Sequence, residues 1–200
     1  MNISVVGTGY VGLVTGVCLA ENGHHVTCLD IDEKKIEMLR NGQSPIYEPG
    51  LEELMLKNKD HLIYTNDPVL AYSGAEVIII GVGTPEKKDG SANLQYVYEV
   101  AEQIAQTLQH DCVVVIKSTV PVGTNDKIAA FIQEHKKHNV NIEVVSNPEF
   151  LSQGSAVRDT LQASRIVIGV ESPEAEMIMR KVYENFGIPI VVTDRRSAEM

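Results

Sequence analysis

Short apolar runs alternate along the chain with longer segments in which apolar residues recur every three or four positions. The short runs are typical of buried β-strands, and the longer segments are typical of helices with one apolar face. Eight strands are predicted, at Ile3–Val6, His25–Leu29, Leu62–Thr65, Val77–Ile80, Cys112–Lys117, Ile142–Ser146, Arg165–Gly169 and Ile188–Thr193. Six helices are predicted, at Val11–Glu21, Glu33–Arg40, Gly50–Lys57, Leu94–Gln109, Thr124–Lys136 and Pro173–Phe186.

Several predicted strands are continuous apolar runs rich in β-branched residues, such as VIII, VVVI and IVIG. Continuous runs indicate strands that are covered on both faces, as in parallel sheets. The repeated order of strand, helix and strand therefore predicts an α/β fold with a doubly wound, mainly parallel sheet of about eight strands, similar to a Rossmann fold. The chain has no fixed-period repeat and no linker-like segment, so we expect one domain over residues 1–193.

The last residues of the chain predict the start of another helix. Asp194 or Ser197 can cap its N-terminus, and Glu199 follows early in the new helix. Since the chain then stops, we expect residues 194–200 to begin a connecting helix of a longer protein.

Composition and charge narrow the possible partners. With 44% hydrophobic and 22% charged residues the chain is typical of a soluble globular protein. Its formal net charge of −10 argues against nucleic acid or an anionic membrane as a partner, because both require a basic surface. No apolar run approaches the roughly 18 residues of a membrane span, and we expect no signal peptide, because the N-terminus enters a strand-like pattern directly. We therefore expect a cytoplasmic protein.

The three cysteines, Cys18, Cys28 and Cys112, are widely spaced and lie in apolar segments. They form neither a CxxC motif nor any other spacing typical of metal ligands. We expect buried, reduced thiols and no bound metal, which again suits the cytoplasm.

A glycine-rich turn between the first predicted strand and helix indicates a phosphate site. Gly7, Gly9 and Gly12 have the spacing G-x-G-x-x-G, and the second strand ends at Asp30. In this arrangement the glycines allow a pyrophosphate to approach the backbone, and the carboxylate can bind the ribose hydroxyls of an adenosine. The alternative is a glycine-rich turn with a chance aspartate. For Lys35 the two alternatives are a position beside the adenosine and a solvated charge at the start of a helix.

Three further strand ends place polar residues at the same predicted edge of the sheet. Thr84 follows the fourth strand, Thr119 the fifth and Glu149 the sixth. Ligands of doubly wound sheets bind outside the carboxyl ends of the strands, so these side chains could contact a bound dinucleotide. The alternatives are a polar loop at Thr84, a helix cap at Thr119 and a solvated loop charge at Glu149.

Five ordered motifs together resemble the UDP-glucose/GDP-mannose dehydrogenase family, most of all its branch acting on UDP-glucose. They are GTGYVGLVTGVCLAENGHHVTCLDID, GQSPIYEPGLEEL, GVGTPEKKDGSANL, IKSTVPVGT and SNPEFLSQGSAVRD. The resemblance runs from Met1 to Met200 and covers the family's N-terminal NAD-binding domain. It implies the oxidation of a nucleotide-sugar alcohol to a carboxylate by two NAD molecules, through a thioester on a cysteine.

The resemblance also implies roles for individual residues. It assigns pyrophosphate binding to the loop from Gly7 to Gly12, adenosine binding to Asp30 and Lys35, and contacts along the cofactor to Thr84. Thr119 is expected to contact the cofactor and the catalytic water or alcohol, and Glu149 to act as acid and base in thioester hydrolysis. The implied cofactor-binding residues are Gly7, Thr8, Gly9, Tyr10, Val11, Gly12, Asp30, Lys35, Thr84, Thr119 and Gln153, and the implied substrate-binding residues are Glu149, Phe150, Leu151 and Gln153.

The chain departs from the family pattern in two respects. The nucleophilic cysteine of the family would lie beyond Met200, so we expect the isolated chain to be inactive and monomeric, whereas the full-length protein is expected to dimerise. Gln153 also stands where the family commonly has a second glutamate. If a helical turn begins at Pro148, Glu149 and Gln153 share one helical face. Glu149 is then the base, and Gln153 orients the nicotinamide or the sugar.

Other interpretations remain open from the sequence. Relatives acting on UDP-N-acetylhexosamines or GDP-mannose share the same motifs. A β-hydroxyacid dehydrogenase has the same glycine pattern, and a non-catalytic NAD-sensing module would need only the cofactor site.

Overall fold

One sheet of eight strands runs through the structure, a computed structural model that describes residues 1–200. The strands are β1 Asn2–Val6, β2 His25–Leu29, β3 Leu62–Thr65, β4 Val77–Ile80, β5 Cys112–Ile116, β6 Ile142–Ser146, β7 Ile166–Gly169 and β8 Ile190–Thr193. The helices are α1 Tyr10–Glu21, α2 Glu33–Arg40, α3 Leu51–Lys57, α4 Pro68–Tyr72, α5 Gln95–Thr107, α6 Thr124–His135, α7 Ala156–Leu161, α8 Pro173–Val182 and α9 Arg195–Ala198.

The strand order is β3-β2-β1-β4-β5-β6-β7-β8. Strands β1 to β6 are all parallel, and the order changes direction between β1 and β4. Such a reversal leaves a crevice outside the carboxyl ends of the two central strands, where dinucleotides bind in doubly wound folds. The predicted α/β fold with a mainly parallel sheet of eight strands is confirmed.

Strand β7 is antiparallel to β6, with Ser146 opposite Gly169, and β8 is parallel to β7. An antiparallel neighbour can begin at the edge where the preceding strand ends, so no crossover is needed between them. Residues 147–165 therefore leave β6 and return to β7 at the same edge. This connection keeps Glu149 and the residues after it beside the carboxyl ends of the parallel strands.

The core lies on both faces of the sheet, as the continuous apolar runs predict. Along β4, Val77 and Ile79 belong to a cluster of 28 buried residues that includes the apolar side of α1. Ile78 and Ile80 belong to a second cluster of 21 buried residues that includes α5 and α6. Alternate side chains of one strand thus enter opposite cores, which fixes the register of the central sheet.

Helices α4 and α7 are absent from the predicted elements. They have only five and six residues, too few for a recurring apolar pattern. Asp194 does cap α9, accepting a hydrogen bond from the Ser197 N–H at 2.9 Å. None of the helices is long and apolar enough to cross a membrane.

The three cysteines are buried and unpaired, which confirms the expectation of reduced thiols. Burial raises the pKa of each thiol to about 12. They are therefore protonated at neutral pH and act as small apolar side chains.

Candidate functional site

The candidate residues lie at one edge of the sheet. The loop Gly7–Gly12 follows β1, Asp30 follows β2, Thr84 follows β4, Thr119 follows β5 and Glu149 follows β6. Because these five strands are parallel, their carboxyl ends meet at the same edge. The structure thus brings together residues that are distant in the sequence.

Two glycines allow the close packing of the first turn of α1 against the sheet. A Cβ on Gly12 would lie 1.8 Å from the carbonyl oxygen of Gly7, and a Cβ on Gly81 would lie 2.8 Å from the Cα of Gly12. Gly7 itself has a φ of +95°, which side-chain-bearing residues rarely adopt. These positions require glycine for the fold, whether or not a ligand is bound.

Gly9 has no such structural requirement. Its backbone is extended, with φ −75° and ψ −166°, and a Cβ built on it would have no atom within 4 Å. Helix α1 starts at the next residue with neither a side-chain cap nor an acidic residue in its first turn. The N–H groups and dipole of an uncapped helix N-terminus attract phosphate. The open space at Gly9 and the uncapped helix therefore fit the pyrophosphate of NAD.

Asp30 is held as a rigid carboxylate beside this loop. It is only 9% exposed, and its Oδ2 accepts hydrogen bonds from the N–H and the hydroxyl of Thr8 at 2.7 and 2.6 Å. Burial alone would raise its pKa, but these bonds and one from the Asp32 N–H outweigh burial, and the pKa is lowered. The Lys35 ammonium lies 3.9 Å from Oδ2. An ionised, fixed carboxylate fits the ribose hydroxyls of an adenosine.

Thr84, Thr119 and Glu149 form one hydrogen-bonded row along the edge. The Thr84 hydroxyl donates to the Thr119 carbonyl at 2.8 Å, and the Thr119 hydroxyl donates to Oε1 of Glu149 at 3.2 Å. The second carboxylate oxygen of Glu149, Oε2, is buried and has no hydrogen-bond partner. The row therefore presents one buried carboxylate oxygen with unused hydrogen-bonding capacity at the ends of β5 and β6.

The expected helical turn at Pro148 is wrong. Residues 147–152 have no regular structure, and α7 begins only at Ala156. Two N–H groups between residues 147 and 155 bind side chains instead of the carbonyl four residues back. The Ser152 N–H donates to Asp159 at 3.1 Å, and the Gly154 N–H donates to Tyr10 and Glu48. Glu149 and Gln153 consequently do not share a helical face.

The other predicted substrate residues lie on this segment with different exposures. Phe150 is 59% exposed, and the Cζ of Arg165 lies over its ring, 5.6 Å from the ring centroid. Leu151 is half-buried and Gln153 is exposed. Their predicted contacts with a substrate stay a prediction.

A buried polar cluster behind Glu149 was not predicted from the sequence. Lys117 is 7% exposed and donates to Oδ1 of Asn147 at 3.2 Å, and the Tyr183 hydroxyl donates to the same oxygen. The Asn147 amide donates in turn to the Val167 carbonyl at 2.8 Å. Lys117, Asn147 and Glu149 line a cavity of about 50 Å³. The cluster ties the end of β5 to the residues that precede Glu149.

Glu48 was also missed. It is 5% exposed and accepts a hydrogen bond from the Tyr10 hydroxyl. Both Lys117 and Glu48 have charged side chains, which ordinarily indicate the surface, so the sequence pattern contains no direct signal for their burial. The only hint is that Glu48 lies within the motif GQSPIYEPGLEEL and Lys117 within the motif IKSTVPVGT.

Comparison with known proteins gives the family context. The sequence profile of the UDP-glucose/GDP-mannose dehydrogenase family, NAD binding domain, matches residues 1–187. The chain is 54% identical to UDP-glucose 6-dehydrogenase YwqF and 48% identical to UDP-glucose 6-dehydrogenase TuaD, both of Bacillus subtilis. The two alignments include 100% and 99% of this chain but only 46% and 43% of the length of the two relatives. The chain thus corresponds to less than half of each.

Solved structures show the same relationship. A UDP-glucose dehydrogenase from Pyrobaculum islandicum superposes with a TM-score of 0.95 at 38% identity, over 99% of this chain and 47% of that one. A GDP-mannose dehydrogenase from Pseudomonas aeruginosa, solved as a ternary complex, superposes with a TM-score of 0.92 at 34% identity, over 100% of this chain and 48% of that one.

The family match implies NAD as the cofactor, and the uncapped glycine loop and the fixed carboxylate of Asp30 are compatible with that cofactor. The chain belongs to the UDP-glucose/GDP-mannose dehydrogenase family, as an NAD-binding domain of that family.

Proposed function

We propose that the chain is the cofactor-binding part of a nucleotide-sugar 6-dehydrogenase that oxidises UDP-glucose to UDP-glucuronate with two NAD. The two Bacillus subtilis relatives are named UDP-glucose 6-dehydrogenases and are 54% and 48% identical to it. Structures named for GDP-mannose and UDP-N-acetyl-mannosamine share the fold at 34% and 28% identity. Sequence similarity therefore favours UDP-glucose, while the fold supports any of these sugars.

The proposal divides the work between this chain and the rest of a longer protein. Residues 1–193 form the NAD-binding domain, and residues 194–200 begin a connecting helix. The sugar-binding domain, the nucleophilic cysteine and the surface for homodimerisation belong to the remaining part. All three cysteines of this chain are buried as thiols, so none of them is available as the nucleophile.

The proposed reaction has four steps. The sugar C6 alcohol loses a hydride and a proton to become an aldehyde, and the cysteine thiol adds to the aldehyde to form a thiohemiacetal. The thiohemiacetal loses a second hydride and its hydroxyl proton to become a thioester, and water then hydrolyses the thioester to the carboxylate and the free thiol. NAD, when bound, accepts the hydride in each of the two oxidations. Gly9 and the start of α1 hold its pyrophosphate, and Asp30 holds its adenosine ribose.

The hydrogen bond between Thr119 and Glu149 at the cofactor edge is the observation on which this proposal depends most. A carboxylate fixed by one oxygen, with the other free of partners, can take a proton from water during thioester hydrolysis. Thr119 keeps Glu149 at the end of β6, next to the place where the nicotinamide of a dinucleotide bound along this edge would lie.

Replacing Glu149 by glutamine in the full-length protein tests this role. Glu149→Gln keeps the size of the side chain but removes the base, so hydrolysis should slow by about 100-fold or more while both hydride transfers persist. Rapid quenching and mass spectrometry should then detect an acyl-enzyme that accumulates. Gln153→Ala, the control in the same segment, should mainly weaken substrate binding. Thioester hydrolysis at the wild-type rate in Glu149→Gln would contradict the proposal.

A further inference from the structure

The motif GQSPIYEPG, residues 42–50, has no role in the proposed function, yet its burial pattern is inverted. The aromatic side chain of Tyr47 is 89% exposed, whereas the adjacent carboxylate of Glu48 is 5% exposed. Charged side chains are rarely buried without a specific partner, because their desolvation is costly. The loop between α2 and α3 thus places one carboxylate inside the protein for a reason that packing alone does not supply.

Glu48 connects two segments that belong to the candidate site. The Tyr10 hydroxyl, at the phosphate-binding end of α1, donates to its Oε2. The backbone N–H of Gly154 lies 2.9 Å from the same oxygen and 2.8 Å from the Tyr10 hydroxyl oxygen, and donates to both. We call these three residues the Glu48 clasp. It joins the glycine loop, the loop 42–50 and the segment that follows Glu149.

The protonation states within the clasp are well defined. Burial would raise the pKa of Glu48, but the bonds from Tyr10 and from the backbone of Gly154 and α7 outweigh it, and the pKa is lowered. Burial and the neighbouring Glu48 raise the pKa of Tyr10. At neutral pH Glu48 is therefore a carboxylate and Tyr10 a neutral donor, so the two bonds that Glu48 accepts, from the Tyr10 hydroxyl and the Gly154 N–H, are charge-assisted.

The segment 147–155 depends on such bonds for its position. It lacks regular structure, and Gly154 adopts φ +86°. Asp159 binds the Ser152 N–H and the Ser155 hydroxyl, but Asp159 belongs to the helix that continues this same segment. The clasp is the hydrogen-bonded link between this segment and the glycine loop at the start of α1.

We propose that Glu48 is a positioning residue, which through Tyr10 and Gly154 holds the Glu149–Gly154 segment against the cofactor loop. The assignment rests on the proposed function, because the segment matters for catalysis only if Glu149 and Gln153 act there. Glu48 itself touches neither the cofactor nor the reacting atoms. It sets the distance between the loop that binds the pyrophosphate and the side chains that act on the sugar.

Two measurements on the full-length protein test the assignment. Glu48→Gln removes the charge but keeps the size, and Tyr10→Phe removes the donor. The matched control is Glu52→Gln, since Glu52 is an exposed carboxylate next to the same loop that binds only the Ser44 N–H, at 2.9 Å. Hydrogen exchange monitored by mass spectrometry should be faster in the peptide 149–155 of Glu48→Gln and unchanged in the control. The kcat of Glu48→Gln should fall about tenfold or more with the KM for NAD within about threefold, because misplacement of reacting groups costs turnover.

The double variant makes the test specific. Tyr10→Phe and Glu48→Gln break the same bond, so their effects on kcat should not multiply when combined. The proposed positioning role would be overturned by any of three results. These are unchanged hydrogen exchange in peptide 149–155 of Glu48→Gln, a kcat of Glu48→Gln equal to that of Glu52→Gln, or effects of Tyr10→Phe and Glu48→Gln on kcat that multiply in the double variant. If the wild-type full-length protein does not oxidise UDP-glucose but Glu48→Gln still exchanges hydrogen faster in peptide 149–155, the proposed function is overturned. The positioning role of Glu48 in catalysis then falls with it, while the structural link between the two segments stands.

Discussion

Gly9 and Gly12 offer a pair of substitutions that separate cofactor binding from folding. Both belong to the same glycine loop, and each gains only one methyl group on conversion to alanine. The new methyl of Gly12→Ala would lie 1.8 Å from the Gly7 carbonyl oxygen, whereas that of Gly9→Ala would have no atom within 4 Å. Gly9 also has an extended backbone that alanine adopts without strain.

The expected magnitudes follow from these distances. Overpacking of a tight site costs about 1–3 kcal/mol or more, and 1.8 Å is far inside any normal contact. At about 2–4 °C per kcal/mol for a chain of this size, Gly12→Ala should lower the Tm by about 6 °C or more. Gly9→Ala should leave the Tm unchanged or slightly raised, because alanine reduces the entropy of the unfolded chain. Its methyl enters the space that fits the pyrophosphate, so NAD affinity should fall by about tenfold or more, equivalent to about 1.4 kcal/mol.

Thermal unfolding and calorimetric titration with NAD measure both quantities on the same samples. Gly9→Ala should unfold like the wild type and bind NAD weakly, while Gly12→Ala should be the less stable protein. If Gly9→Ala binds NAD with wild-type affinity, the pyrophosphate does not approach this loop, and the reasoning is refuted. A large loss of stability in Gly9→Ala would equally show that the open space there is not real.

Three further predictions concern the charge of Asp30, the charge of Glu48 and the inactivity of the isolated chain. Asp30 should make the protein prefer NAD over NADP, since a 2′-phosphate about 4 Å away is repelled by about 4 kcal/mol at an effective dielectric of 20. In calorimetric titrations Asp30→Asn should reduce the difference between the two affinities, and equal affinities of the wild type for NAD and NADP would contradict the prediction. Because the folded-state pKa of Glu48 lies below its ordinary value of 4.5, Glu48 stabilises the fold above that pH and loses this contribution as pH falls through the folded value. Urea unfolding should therefore show the stability gap between wild type and Glu48→Gln shrinking from pH 7 to pH 3.5, and a constant gap would argue against it. The isolated 200-residue chain should be monomeric by light scattering and form no NADH with UDP-glucose, whereas sustained NADH formation would refute the expectation that this chain alone is inactive.

The fold could be predicted because its signals are local and repeated. Buried parallel strands such as β4 and β5 consist almost entirely of β-branched residues, and the glycine spacing follows directly after β1. The antiparallel β7 could not be predicted, since the direction of a strand depends on the path of its connection and not on its composition. Short helices such as α7 escape detection for a different reason, because one and a half turns show no period.

The candidate site likewise contains some residues that the sequence predicts and others that it does not. Asp30, Thr119 and Glu149 follow predicted strands, so topology alone places them at one edge. Glu48 and Lys117 are buried by partners distant in the sequence, and their burial can be seen only in three dimensions. The helical turn expected at Pro148 failed because tertiary hydrogen bonds to side chains replace the backbone bonds that a helix would make.

The stoichiometry of NADH formation by the full-length protein is the most direct test of the proposed function. Limiting UDP-glucose with excess NAD should yield two NADH for each sugar, and mass spectrometry should identify the product as UDP-glucuronate. UDP-N-acetylglucosamine, UDP-N-acetylmannosamine and GDP-mannose, assayed in parallel, should be turned over far more slowly. One NADH per sugar, or turnover of another nucleotide sugar in place of UDP-glucose, would contradict the account.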